Sequence, residues 1–280
     1  MLQRLKAIGR ASLRSCANVI GSTRPGRVFF EDAVDGAMNR TRTVTHRGTV
    51  LVFAVPNSVN EFRVRSFATK EPETLAWIDS ISSGAVLWDI GANIGLYSCY
   101  AAKARGCRVI AFEPSVFNLE LLARNVFVNG LSRSVTIMSL PLFERLAEDT
   151  LNMTTTAWGG ALSTFGLKQG YDGSAMDSVF EFRTVGLPVD ECISRLGLPE
   201  PQYIKLDVDG IEHLVLRGGP RVLQGVRSLS VEVNDDFTEQ AQECQRLLTA
   251  AGLHFVSKAH SAVIEADPRF NTVFNQIWAR

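Results

Sequence analysis

The segment Asp89-Ile-Gly-Ala-Asn-Ile-Gly runs from an acid at the end of an apolar stretch into a turn with glycines at 91 and 95. Glycine there permits tight turning and close approach of the backbone to a ligand. A nicotinamide loop would read G-x-G-x-x-G and cradle a pyrophosphate. Here the spacing is G-x-x-x-G, with Ala92 and Asn93 inside it, and the acid at the strand end would repel a phosphate. Asp89 suits a ligand carrying an ammonium group and a sulfonium cation, which points away from NAD and toward S-adenosylmethionine. A second acid, Glu113, ends the stretch Arg108–Phe112 and is followed by Pro114. A carboxylate at the tip of a second strand is placed to accept both ribose hydroxyls of an adenosine.

These residues need strands that end and helices that begin beside them. Ala85–Ile90, Arg108–Phe112, Ser134–Leu140, Tyr203–Val208, Leu229–Val233, His254–Ser257 and Val273–Trp278 read as strands. Gly95–Arg105, Val116–Asn129, Ile211–Leu216 and Thr238–Ala251 read as intervening helices. That alternation predicts parallel βαβ units in a doubly wound α/β sheet, whose ligands bind beyond the carboxyl ends of the strands. Residues 141–202 are too long for an ordinary crossover. Their glycines and the β-like run Val179–Val185 predict an insertion built on a hairpin, with Asp190 capping a helix over Glu191–Leu196. Before the sheet, residues 1–25 read as a basic helix. Val28–Phe30, Thr41–Thr45 and Thr49–Val55 read as β-rich, and Glu73–Ser80 as a helix. The expected organisation is a 1–70 extension and a 71–280 catalytic domain.

Asp89–Ser98, then Phe112-Glu113-Pro114-Ser115, Asn118, Asn125 and Asn129-Gly130, resemble the FkbM-type methyltransferases. Lys205-Leu206-Asp207-Val208-Asp209-Gly210-Ile211-Glu212, with Val215-Leu216 and Gly218, looks like that family's second signature, and Val231-Glu232-Val233 its fifth-strand segment. The resemblance covers about residues 71–253. It implies a Rossmann-like, seven-stranded, mostly parallel sheet, S-adenosylmethionine as cofactor, and methylation of a hydroxyl on a sugar, glycan or secondary metabolite. The candidate cofactor set is Asp89, Gly91, Ala92, Asn93, Gly95, Glu113, Pro114, Asn118, Ser139 and Asp207.

Lys205 and Asp207 share strand parity and so one face, with Asp207 at the tip of the fourth strand. Asp209 and Glu212 have the D-x-x-E spacing of a capping box, although Glu212 can equally face substrate. Glu232 sits among valines in a central strand, where a lone charge is costly, so Lys205 is its expected partner. Asp207, His213, Glu232 and Lys205 are therefore the catalytic candidates, with Asp207 or His213 as base. Asp207, Asn234 and Asp235 form an alternative oxygen-ligand set for magnesium. Trp158-Gly159-Gly160 offers either an aromatic platform for a sugar ring or a loop anchor.

The rest of the sequence narrows the partners. Its 29 basic and 29 acidic residues leave no net charge, against the basic excess usual for nucleic-acid enzymes. The Asn/Asp-Pro-Pro-aromatic motif of base N-methyltransferases is replaced by Asp207-Val208-Asp209-Gly210. Methylation of a nucleic-acid or protein nitrogen stands as the rival reading, with a catalytically silent cofactor-binding domain as another; the complete loop, Glu113 and Asp207 argue against the silent one. The five cysteines have no C-x-x-C spacing, so reduced thiols and a cytoplasmic location are expected. Arg4, Lys6, Arg10, Arg14, Arg24 and Arg27 precede the first acid, Glu31. With Leu2, Leu5 and Ile8 on a helical stripe, they allow peripheral contact with an acidic membrane.

Overall fold

The computed structural model describes residues 15–280. The strands are β1 Thr41–His46, β2 Thr49–Ala54, β3 Val86–Ile90, β4 Arg108–Phe112, β5 Val135–Met138, β6 Ala147–Met153, β7 Ser163–Phe165, β8 Phe180–Gly186, β9 Tyr203–Leu206, β10 Ser228–Asn234, β11 His254–Ala259 and β12 Val273–Ala279. Seven form one sheet in the order β11-β12-β10-β9-β3-β4-β5. Pairing is parallel from β10 through β5, and only β12 runs against its neighbours. This is the expected Rossmann-like sheet. Strand order reverses direction of growth between β3 and β9, and a crevice opens at such a switch point.

Helices cover both faces, so the inner strands are apolar on both sides. Leu87, Val109 and Ala111 point into one core, while Trp88, Ile110 and Phe112 point into the other. The first core also takes Leu51 and Phe53 of the β1–β2 hairpin. Asparagines fasten that hairpin. The Asn125 amide accepts the Ala54 N–H (2.8 Å) and donates to the Ile94 carbonyl (2.8 Å); Asn129 accepts from Val52 N–H (3.0 Å) and donates back to its carbonyl (2.6 Å).

Several local expectations are corrected. Val28–Phe30 lie in a helix, Arg24–Met38, because the Thr23 hydroxyl caps Gly26 N–H and Pro25 presets the first turn. Residues 58–65, within the stretch read as β-rich, form a helix capped by the Asn57 carboxamide, which accepts from Asn60 N–H. Arg4, Lys6, Arg10 and Arg14 of the predicted basic helix lie outside the described residues. Residues 15–21 are helical and break before Arg24. The insertion carries a three-stranded antiparallel sheet, β7-β6-β8, rather than a hairpin. Asp190 lies inside the first turn of Val189–Leu196, and its carboxylate accepts the N–H groups of Arg221 and Val222, capping Pro220–Leu223 instead. Among the described residues, no helix is long and apolar enough to cross a membrane.

Candidate active site

A cavity of about 620 Å³ opens at the carboxyl ends of β3, β4, β9 and β10, within the size range of small-molecule sites. The glycine loop forms one wall. Gly91 has φ +86°, and a side chain there would meet the Asp207 carbonyl oxygen at 1.7 Å. Gly95 has φ +79°, and a Cβ would lie 2.3 Å from Leu122. Only glycine lets β3 and β9 close together and the helix Leu96–Arg105 start where it does. Asn93, between them, is itself left-handed at φ 49°. Its carboxamide accepts Ile94 N–H, which eases that conformation, and donates to the Gly160 carbonyl at 2.7 Å.

Glu113 stands at the tip of β4, buried, with one carboxylate oxygen on Asn93 N–H (2.8 Å) and the other on Ser115 N–H (2.7 Å). Burial pushes its pKa up to about 7 against those two donors. A carboxylate has about four acceptor sites, so two remain for hydroxyl donors in the cavity. Asp89 is buried beneath the loop and does not line the cavity; one oxygen accepts the Ser98 hydroxyl, and the other has no partner among the described residues. Burial raises its pKa.

The second acidic group adjoins the loop, with the Asp207 backbone packed against Gly91. Lys205, buried, donates to Asp207 at 2.8 Å and lies 5.3 Å above the Tyr97 ring centre. Burial opposes its charge, but Asp207, Asp89 and Glu71 together raise its pKa. Asp207 rather than Glu232 is thus its partner: β9 ends at Leu206, and the chain turns Asp207 back toward the lysine. Carboxylate oxygens of Asp207, Asp209 and Glu232 lie within 4.8 Å of one another. Burial and the neighbouring acids push Asp209 up to about 6 and Glu232 well above its ordinary value. Asp209 is not a helix cap. At φ 59° it reaches across the cavity, and its carboxylate accepts the N–H groups of Leu162 (2.7 Å) and Ser163 (3.2 Å) in the insertion. Glu212 turns inward to accept the N–H groups of Val208 (2.8 Å) and Gly210 (3.1 Å), and it also takes a bond from Gln240. It holds the signature loop rather than facing the cavity.

Gly91, Ala92, Asn93, Glu113, Pro114, Asn118, Lys205, Asp207 and Glu232 all line this one cavity. Other expectations fail. Ser139 is exposed, and its neighbour Leu140 lines the cavity instead. His213 is buried against Phe237, away from the cavity, with Nδ1 unpartnered among the described residues; burial lowers its pKa. Asn234 and Asp235 do not join Asp207. Asn234 is bonded to Tyr171, Thr272 and Asp236, and Asp235 to Lys258. Trp158 anchors a loop: its carbonyl accepts from Asn57 (3.0 Å) and Asn60 (2.8 Å), and its ring packs with Met38, Ala54, Ile94 and Leu121. Asn118 holds the same loop, accepting Gly159 N–H and donating to Gly160.

The helix and turn before the sheet bring residues that the motifs did not mark: Arg63, Lys70 and Glu71. Burial works against the Glu71 charge, yet Lys70, at 2.7 Å, and Lys205 hold its pKa at about 2. The caps were the available signal, with Asn57 ahead of Glu61 in the first turn and Arg63 and Arg65 in the last.

The methyltransferase FkbM domain matches residues 89–265. The chain belongs to this family. The match takes in both the glycine loop with Glu113 and the segment from Lys205 to Glu212, and membership implies S-adenosylmethionine as the methyl donor. Among its relatives is hexuronic acid methyltransferase AglP of Haloferax volcanii, 24% identical over 199 residues, covering 71% of this chain and 77% of that protein. A second is 31-O-demethyl-FK506 methyltransferase FkbM of Streptomyces tacrolimicus, 27% identical over 222 residues, covering 70% and 81%. The crystal structure of methyltransferase FkbM from Methylobacillus flagellatus KT shares the fold with a TM-score of 0.50 at 16% identity, covering 79% of this chain and 52% of that one.

Proposed function

We propose that this protein transfers a methyl group from S-adenosylmethionine to a hydroxyl oxygen of a sugar or small metabolite. The observation that carries the reading is the meeting of two groups in one cavity: the glycine loop with Glu113, and the carboxylates of Asp207, Asp209 and Glu232. Residues of the first group fit the cofactor. Glu113 has acceptor sites free for a ribose diol, and the loop glycines admit close backbone approach. The surrounding acids suit a cation. When bound, the cofactor supplies an electrophilic methyl group on sulfur.

The chain itself supplies orientation and a place for the proton. Transfer needs the acceptor oxygen held about 3–3.5 Å from the methyl carbon, which the floor of Gly160 to Ser163 and the strand ends can enforce. Asp207, held by Lys205 at 2.8 Å among the other acids, is placed to accept the hydroxyl proton. A relative named for a 31-O-demethyl compound supports an oxygen acceptor, and one named for a hexuronic acid supports a sugar. Magnesium forms no part of this reading, because Asn234 and Asp235 are committed elsewhere.

Incubation with methyl-labelled S-adenosylmethionine and a panel of sugars, uronic acids and hydroxylated metabolites tests it by mass spectrometry. An O-methylated product is expected, and Asp207→Asn is expected to lower kcat about 10²–10⁴-fold. Label appearing only on nitrogen of protein or nucleic acid would overturn the reading.

A further inference from the structure

Five basic side chains line the cavity: Arg63, Lys70, Lys205, His260 and Arg269. Four of them already face a carboxylate. Lys70 lies 2.7 Å from Glu71, Lys205 2.8 Å from Asp207, Arg269 2.7 Å from Asp267, and His260 beside Glu265. Arg63 pairs with no carboxylate among the described residues, and the sequence before residue 31 contains no acid. It is not loose, however. Its Nε donates to the Gly159 carbonyl at 2.7 Å, in the loop that Asn93 and Asn118 bind from the other side. One guanidinium nitrogen is thus used for placement, and the Nη donors remain.

Apolar and aromatic side chains share this cavity with Arg63. Val59 and Phe62 of the same helix line the cavity, as do Tyr171 and Phe270, whose rings pack 4.9 Å apart. A part-buried guanidinium held by a backbone carbonyl, in a cavity with aromatic lining, can receive a planar anion carried on an apolar or sugar-ring body. We propose that Arg63 is a specificity-determining residue that receives a carboxylate on the acceptor, so that the substrate is a hydroxy acid of ring-like shape. This rests on the methyl-transfer reading above.

A carboxylate could reach Arg63 from the acceptor or from the cofactor's own methionine end, and two titrations separate these sources. Wild type, Arg63→Met and Arg63→Lys are first titrated with S-adenosylhomocysteine by calorimetry. D-glucuronate and D-glucose are then titrated into each complex. Expected results are S-adenosylhomocysteine affinity within threefold of wild type in both variants, which also reports that they fold. Glucuronate should bind wild type at least tenfold tighter than glucose. That preference should vanish in Arg63→Met and survive in part in Arg63→Lys. A tenfold loss of S-adenosylhomocysteine affinity in Arg63→Met assigns the carboxylate to the cofactor and overturns the proposal. So does a wild type without preference for glucuronate, or a preference that persists in Arg63→Met. A wild type that fails to bind S-adenosylhomocysteine removes the methyl-transfer reading itself, and this inference with it.

Discussion

Glu113 and Gly95 put the cofactor assignment to its most local test. Glu113 accepts two backbone N–H groups, one per oxygen. A ribose diol would add two charge-assisted bonds, each worth about 1.5–3 kcal/mol. Glu113→Gln keeps the shape but presents an amide where an acceptor is needed, so S-adenosylmethionine affinity should fall at least about tenfold by calorimetry. Gly95→Val demands a β-branched residue at φ +79° and a Cβ 2.3 Å from the fully buried Leu122. It should shift the loop and weaken binding at least as much. Unchanged affinity in both variants would end the claim that this loop holds the cofactor. Asp207 lies at the same scale. Its partner was misjudged from the sequence because strand parity gives a face and not the place where the strand stops. Lys205 and Asp207 do share a face, but Asp207 lies just past the end of β9, close enough for the lysine to prefer it to Glu232.

The elements differ in how much of them could be read from the residues. Strands β3, β4, β9 and β10 were legible because apolar runs end abruptly in acid or glycine, and those ends are the site. The helix Ser58–Arg65 was not. Val59, Phe62 and Val64 mimic strand composition, and the Asn57 cap marks its start. It supplies Arg63 and one side of the cavity, so the missed element hid a site residue. Asp190 and Asp209 show the same limit: both have cap-like spacing, and both serve backbone N–H groups far along the chain, at 221–222 and 162–163. Local pattern cannot name a distant partner. Asn125 illustrates what an element gains from such a partner. It ties the β1–β2 hairpin and the glycine loop to the helix Val116–Val128 through Ala54 and Ile94. Asn125→Ala would strand a buried N–H and a buried carbonyl, a loss of about 2–4 kcal/mol. Urea unfolding should show the midpoint fall with the slope unchanged. A change under about 0.5 kcal/mol would mean that other donors and acceptors take over both contacts.

Across the whole molecule the charges cancel, yet acids gather where the strands end. Burial raises Glu113 and Glu212 to about 7 and Asp209 to about 6, and it also raises Asp89 and Glu232. A carboxyl with a folded-state pKa above its unfolded value, roughly 4, holds its proton better in the folded chain. Its contribution to stability is therefore complete below the unfolded value and is lost as pH rises through the folded one. The window runs from roughly pH 4 to 7. Two buried groups act in the other sense. Buried His213 loses stability as pH falls below its unfolded value, and Glu71, held at about 2, loses stability only in more acid solution. One histidine against five carboxyls leaves the carboxyls dominant, so the Tm of the cofactor-free protein should fall between pH 5 and pH 8. A sulfonium ligand would reverse the trend, because it meets the carboxyls in their ionised form. The Tm increment given by S-adenosylmethionine should therefore grow with pH, and that given by S-adenosylhomocysteine, which has no sulfonium charge, should grow less. Thermal scans at fixed ionic strength, with and without each ligand, measure both differences. A cofactor-free Tm that climbs steadily from pH 5 to pH 8 would show that these carboxyls are hydrated and free to ionise, and the acidic wall would then lose its preference for a cation.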